Sequence, residues 1–327
     1  MSFTESFKTR LQKGEDFGTL ALEAFRYQAA ENPVYRLYLK LLGREARDVR
    51  HLSEIPFMPI TFFRDFPVLS GAPDFALLFR SSGTTGQVRS RHYIKDPDFY
   101  RRMSRCAFEA QYGGLENYEI LALLPSYLEQ KQSSLVQMVG DFMQHSGSHS
   151  DFFLNDFDAL NQRIQTLRAS DKTILLWGVT FALLDLAEAY PQPLPAGTVV
   201  METGGMKGRR RELPREAVHQ RLKAAFDVPE IHSEYGMTEL LSQAYAPRDG
   251  IFKTPPWMHI RLREINDPFA LAPVGGSGGI DIIDLANIDS CCFIQTQDIG
   301  RYVEGGFEVL GRYDHSDVRG CNLLVAE

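Results

Sequence analysis

Two hydrophobic rhythms divide the chain. "FGTLALEAFRYQAAEN" sets Leu20, Ala24 and Tyr27 at helical spacing. "NPVYRLYLKLLG" starts after Asn32 with Pro33 at a natural first helical position and stops at Gly43. "IPFMPITFFRDFPVLSG" mixes three prolines with bulky apolar residues, which predicts an extended segment pressed against a core. Short apolar runs then alternate with amphipathic stretches. "DFALLFR", "YEILALLPSY", "TILLWGV" and "AGTVVMETGG" predict strands. "DPDFYRRMSRCAFEAQYGG" (capped by Asp96 or Asp98), "SSLVQMVGDFMQHSG", "NDFDALNQRIQTLRAS", "FALLDLAEAY" and "ELPREAVHQRLKAAFDV" predict helices. Such alternation implies a sheet covered on both faces. From about Pro255 the pattern turns strand-like, in "WMHIRLREIN", "GGIDIIDLANI", "SCCFIQTQDIGRYV" and "FEVLGRYD", with Gly and Asp at the turns. The expected division is 1–75 as a helical and extended segment packed on the core, 76–254 as an α/β core, 255–310 as a β-rich subdomain, and 311–327 as a terminal strand and tail.

One stretch fits neither rhythm. "FRSSGTTGQVRSRHY", Phe79 to Tyr93, is too small and polar to pack a core. Ser81, Ser82, Thr84 and Thr85 offer hydroxyls, while Gly83 and Gly86 permit close backbone approach. Successive backbone N–H groups in such a turn cradle an anion, and Arg89 and Arg91 add charge-assisted bonds, so phosphate is a natural guest. The loop is not a Walker A sequence, and taken alone it reads equally well as a surface connection.

Composition narrows the field. The 327 residues carry a net charge of −7 and are 44% apolar, enough for a large core and too acidic for a general nucleic-acid binder. No apolar run reaches the roughly 18 residues that span a bilayer. The start, "MSFTESFKTRLQKGEDF", is unlike a secretion signal. Four cysteines without a C-x-x-C pair point to free thiols in a reducing cytoplasm.

Three downstream stretches give the loop a context: "METGGMKGRRREL" (Met201–Leu213), "IHSEYGMTEL" (Ile231–Leu240), and "IQTQDIGRY" with "VLGRYDHSDVRG" (Ile294–Tyr302, Val309–Gly320). In order and rough spacing the set resembles the adenylate-forming superfamily of acyl-CoA synthetases, luciferases and peptide-synthetase adenylation domains. That superfamily has S-S-G-T-T-G, Gly-Gly, Y-G-x-T-E, T-G-D and G-R-x-D motifs. "IPFMPITFF", "SSGTTG", "SRHYIKD" and "LALLPSYLEQKQSSLVQMV" are most similar to the acyl-protein synthetases that activate fatty acids for the aldehyde-producing reductase of bacterial luminescence, and to their non-luminous relatives.

The resemblance implies an α/β fold like the N-terminal domain of adenylate-forming enzymes, layered αβ sheets with a small β subdomain. It also implies ATP with Mg²⁺, a carboxylic (fatty) acid substrate and an acyl-acceptor protein such as an acyl-CoA reductase. By the same resemblance, Ser81, Ser82, Gly83, Thr84, Thr85 and Gly86 hold the β- and γ-phosphates. Gly204 and Gly205 lie against adenine, and Tyr235 and Gly236 stack on and border it. Thr238 bonds a phosphate, Glu239 coordinates Mg²⁺, Asp298 binds the ribose hydroxyls, and Arg312 reaches the ribose or α-phosphate.

Three departures stand out. The usual Pro-Lys after the loop is Val88-Arg89, so Arg89 is the candidate for that charge, and T-G-D is Thr296-Gln297-Asp298. After "GRYD" relatives carry a mobile domain with a catalytic lysine, which is expected to be missing here. Cys321, in "VRGCNLLVAE", occupies a position similar to the cysteine that takes the acyl group in acyl-protein synthetases. On position alone it reads as a packed residue in a final strand.

Alternatives are a phenylacetate-type acyl-CoA ligase lacking its lid, and a non-catalytic module that binds nucleotide or a partner. Other signals are weaker. "GGSGG" (Gly275–Gly279) precedes strand-like residues, so Ser277 is expected in a hairpin turn rather than a nucleophile elbow. His145 and His149 lack the helix and Glu of a zinc site. "KGRRREL" reads as a solvated run or as a docking site for a partner protein or a CoA-like phosphate, and the Trp177–Tyr190 region as core or the wall of an acyl pocket.

Overall fold

The computed structural model describes residues 2–81, 88–124, 132–204 and 213–313. The chain opens with α1 (Phe3–Gln12), where Ser2 and Glu5 cap each other's backbone, followed by α2 (Phe17–Glu31) and α3 (Pro33–Leu41). Asn32 caps α3 as expected, its side chain accepting from the Val34 and Tyr35 amides. The proline-rich segment contributes β1 (Met58–Pro59) and a single helical turn, α4 (Phe62–Asp65), with Phe57, Met58 and Phe63 buried. A two-stranded hairpin, β2 (Leu77–Arg80) and β3 (Arg91–Ile94), carries the Gly/Ser/Thr loop at its tip.

The central layer alternates α5 (Pro97–Tyr112), β4 (Tyr118–Leu123), α6 (Ser134–Gln144), β5 (Asp151–Phe152), α7 (Phe157–Thr166), β6 (Thr173–Val179), α8 (Thr180–Ala189), β7 (Val199–Thr203), α9 (Arg215–Phe226), β8 (His232–Tyr235) and β9 (Ala244–Ala246). Asp96 is the cap of α5. The sheet order is β5-β4-β6-β7-β8-β9, parallel except at β9. Trp177 on β6 packs against Phe108 of α5 and Phe142 of α6, with ring centroids 6.1 and 5.9 Å away. β4 is buried at every position and β6 at all but its first, so both faces of the sheet are covered, as the right-handed crossovers usual between parallel strands lead one to expect.

A second sheet follows from β10 (Met258–Arg263), β11 (Ser277–Asp284), β12 (Phe293–Val303) and β13 (Gly306–Arg312). Its order is β1-β12-β11-β10, with β13 also on β12. Ser277 opens β11, antiparallel to β10, and no helix follows it directly, in keeping with a strand connection. Gln28 stitches α2 to this sheet: its amide donates to the Asn287 and Ile288 carbonyls, and its oxygen accepts from the Cys292 amide. Cys291 and Cys292 are fully buried, whereas Cys106 is exposed. No helix among the described residues is long and apolar enough to cross a membrane.

Candidate functional site

The β2–β3 hairpin closes its own stem. The Ser81 amide donates to the Ser90 carbonyl at 3.1 Å, and the Ser90 amide donates to Ser81 Oγ at 3.0 Å. These bonds fix the two ends of the Gly/Ser/Thr loop side by side. Ser82, Gly83, Thr84, Thr85 and Gly86 themselves lie outside the described residues, as do Gly205, most of "KGRRREL" and Cys321. Arg89 is half-buried beside the stem.

The carboxyl ends of β7 and β8 supply the next residues, the usual place for a ligand crevice in an open α/β sheet. Gly204 follows β7 with φ +71° and is exposed; its carbonyl accepts from Thr180 Oγ1 at 3.0 Å. Tyr235 ends β8. Its ring packs among Phe252 and Phe307, and its hydroxyl donates to Asp298 Oδ2 at 2.7 Å. Gly236 needs its missing side chain: a Cβ there would stand 2.2 Å from Glu234 Oε1. The chain then turns through Met237, whose carbonyl accepts from the Leu240 amide at 3.1 Å, and this turn carries Thr238 and Glu239.

Glu239 is buried, and burial pushes its pKa up. The Ser90 hydroxyl and the Arg312 charge pull it back, while Asp298 adds to the rise. Asp298 faces Arg312 across β12 and β13, with Arg312 Nε 3.4 Å from Asp298 Oδ1. Arg312 is largely exposed, so the pair is weakly held and its guanidinium is open to other anions. The structure therefore brings the loop stem, Tyr235, Glu239, Asp298 and Arg312 around one corner, where the two large sheets and the hairpin meet. Thr238 stands on the same turn, half-buried, with its carbonyl bonded to His92 Nδ1 at 2.7 Å.

Several residues of this corner carry no sequence signal of their own. Glu202 on β7 accepts from Thr180 Oγ1 and Ser233 Oγ, each at 2.7 Å. Burial pushes its pKa up, but His219, Arg215 and these hydroxyls outweigh it and hold the carboxyl below its usual range. Glu234 on β8 accepts from Thr203 Oγ1, and burial pushes it up to about 7. His92 and Asn287, both fully buried, bond the backbone of the 238–239 turn. Among the described residues no cluster of His, Cys, Asp and Glu is arranged to hold a metal on its own, His145 and His149 included.

The architecture is like that of the N-terminal domain of adenylate-forming enzymes, a likeness of fold. The chain matches no protein-family model. In sequence it is similar to the long-chain-fatty-acid–luciferin-component ligase of Vibrio harveyi, 24% identical over 93% of this chain and 85% of that protein. In structure it is similar to 2-hydroxyisobutyryl-CoA ligase in complex with 2-HIB-AMP and CoA (TM-score 0.65, 13% identity, 96% of this chain and 70% of that one). It is also similar to ATP-bound MatB from Rhodopseudomonas palustris (TM-score 0.53, 18% identity, 74% of this chain and 49% of that one). O-succinylbenzoate coenzyme A synthetase from Bacillus subtilis, in complex with AMP, gives a TM-score of 0.51 at 17% identity over 75% of this chain and 50% of its own. The chain thus spans about half the length of MatB.

Proposed function

We propose that this protein activates a carboxylic acid with ATP to form an acyl-adenylate, and that the acid is a fatty acid. The observation that carries the reading is the convergence of the Ser81–Ser90 stem, Glu239, Asp298 and Arg312 on one corner. The residues suit the nucleotide. Gly204 leaves the end of β7 open to a flat ring, and the closed Ser81–Ser90 stem holds together the ends of a segment whose small hydroxylated and glycine residues suit a phosphate. Asp298, oriented by Tyr235, is a ribose acceptor of the ordinary kind. Glu239 is a carboxylate that burial pushes toward its neutral form, and it is the residue that would hold a divalent cation, whose charge would favour the ionised form. Mg²⁺, where bound, supplies neutralisation of the leaving pyrophosphate.

In this reading a carboxylate oxygen of the acid attacks the α-phosphorus, the bond to the β-phosphate oxygen breaks, and pyrophosphate leaves. The chain's part is to align the acid and to stabilise charge on the phosphates through the loop amides, Arg89 and Arg312. The second half of the proposal is transfer to a thiol. The Cys321 sulfur attacks the acyl carbon, AMP leaves with the bridging oxygen, and the thiol proton goes to solvent. An acceptor protein would then take the acyl group. A thiol acceptor within the chain fits the similarity to the luminescence ligase, which matches along most of both chains.

The test is acid-dependent exchange of pyrophosphate into ATP, run across acids of increasing chain length. Glu239→Gln should lower exchange by about 100-fold or more, and Cys321→Ser should leave it intact while abolishing the acyl-enzyme adduct seen by intact mass. Exchange with no acid at all, or undiminished in Glu239→Gln, would refute the reading.

A further inference from the structure

The hairpin that carries the phosphate loop reaches the Thr238–Glu239 turn through one buried side chain. His92 sits two residues beyond Ser90 on β3 and is fully buried. Its Nδ1 lies 2.7 Å from the Thr238 carbonyl, which can only accept, so Nδ1 carries the proton. Burial lowers its pKa to about 4, so the ring is uncharged at neutral pH. Phe63 meets the ring edge-on at 5.4 Å and holds its plane.

The next carbonyl along, that of Glu239, accepts from Asn287 Nδ2 at 2.7 Å. Asn287 is also fully buried, and it spends its amide on that carbonyl: neither its Oδ1 nor His92 Nε2 has a hydrogen-bond partner among the described residues. It belongs to the short turn Leu285–Asn287. Asp284, just ahead of that turn, accepts from the Leu241 and Ser242 amides and from Ser242 Oγ. The segment from Thr238 to Ser242 is therefore gripped on one side by β3 and on the other by residues 284–287.

We propose that His92 is a positioning residue, held with Asn287 in a buried bracket that sets the Glu239 carboxylate against the stem of the phosphate loop, and through it the binding of the divalent cation. The inference rests on the ligase reading for what Glu239 holds; the bracket itself is a property of the unliganded chain. Groups that orient a metal-binding carboxylate from behind typically carry about 10–100-fold in metal affinity. His92 touches neither nucleotide nor acid in this arrangement, so its loss should appear as a demand for more Mg²⁺ rather than for more ATP.

Two substitutions separate positioning from packing. His92→Phe keeps a ring and removes the donor; His92→Asn keeps a donor near the place of Nδ1 in a smaller side chain. In pyrophosphate exchange, His92→Phe should raise the half-saturating Mg²⁺ concentration about tenfold and lower the maximal rate, with the KM for ATP at saturating Mg²⁺ little changed. His92→Asn should recover most of the Mg²⁺ affinity. Equal losses in both, or an unchanged Mg²⁺ requirement in His92→Phe, would overturn the proposal. Asn287→Asp, which replaces the donor to Glu239 with a carboxylate, should give the same signature even if His92→Phe fails to fold.

Deuterium uptake over residues 237–243 of the unliganded chain gives a second reading. It should rise in His92→Phe and stay near wild type in His92→Asn; equal uptake in the two variants would overturn the bracket. If the wild-type protein shows no exchange with any acid, the ligase reading fails, and the uptake measurement still decides whether the bracket exists.

Discussion

Glu202 and Glu234 lie on neighbouring parallel strands, both buried, yet their pKa values move in opposite directions. Glu202 has two hydroxyl donors, a histidine and an arginine around it; Glu234 has Thr203 and the nearby charge of Glu202. Partners, not depth, decide the sign. Because the folded-state pKa of Glu234 is raised from 4.5 to about 7, its neutral form favours folding. That contribution is present in full below about pH 4.5 and is gone once the pH has risen through about 7. Glu234→Gln should therefore flatten the stability profile across that window and gain on the order of 2–3 kcal/mol relative to wild type at pH 8, measured by urea unfolding. Tyr235→Phe makes a second residue-scale case. It keeps the ring among Phe252 and Phe307 and removes the hydroxyl that orients Asp298. Stability should change by about 1 kcal/mol, while the KM for ATP rises several-fold, about what one lost hydrogen bond implies.

At the scale of elements, β13 matters because it brings Arg312 opposite Asp298. It is tied to the central layer by paired bonds between Phe307 and Phe252, and this approach is close: a Cβ on Gly306 would lie 2.1 Å from the Phe252 carbonyl oxygen. Backbone cannot yield as a side-chain tip can. Gly306→Ala should cost about 1–3 kcal/mol and speed deuterium uptake along 306–312, which unfolding curves and mass spectrometry would read. The apolar strands and the capped helices of this layer were legible from periodicity: "YEILALL", "TILLWGV" and the Asp96 cap stand where the pattern puts them. β8 was not legible. "HSEY" offers no apolar alternation, because Ser233 and Glu234 are buried through hydrogen bonds rather than through hydrophobicity. β9, two-residue β5 and the turn α4 escaped for a simpler reason, since elements so short leave no periodic trace. Of the site, the motif residues could be named in sequence, but His92 and Asn287 could not. Their partners are main-chain carbonyls from other segments, 146 and 48 positions away, which no local pattern encodes.

At the scale of the molecule, the N-terminal helices are part of the same core as the second sheet. Gln28 satisfies two carbonyls and an amide in the 287–292 segment, and Asn32 donates to the Ser290 carbonyl at 2.8 Å. Asn287 thus belongs both to this seam and to the grip on Glu239. A chain beginning at residue 76 should lack a cooperative thermal transition, and Gln28→Ala should lower stability by about 2–4 kcal/mol through three unsatisfied buried groups; a shortened chain melting like the whole would show residues 1–75 to be an independent unit. The same core sorts the thiols. The chain has four cysteines. Cys291 and Cys292 are sealed inside, the former pushed up to about 12 by burial, and Cys106 faces solvent. An alkylating reagent applied to the native protein will pass over the two interior sulfurs, and a Cys106→Ser background silences the exposed one. What remains is Cys321, and its loss of labelling on addition of ATP and acid together, but with neither alone, is the outcome expected if the proposed transfer to that thiol takes place.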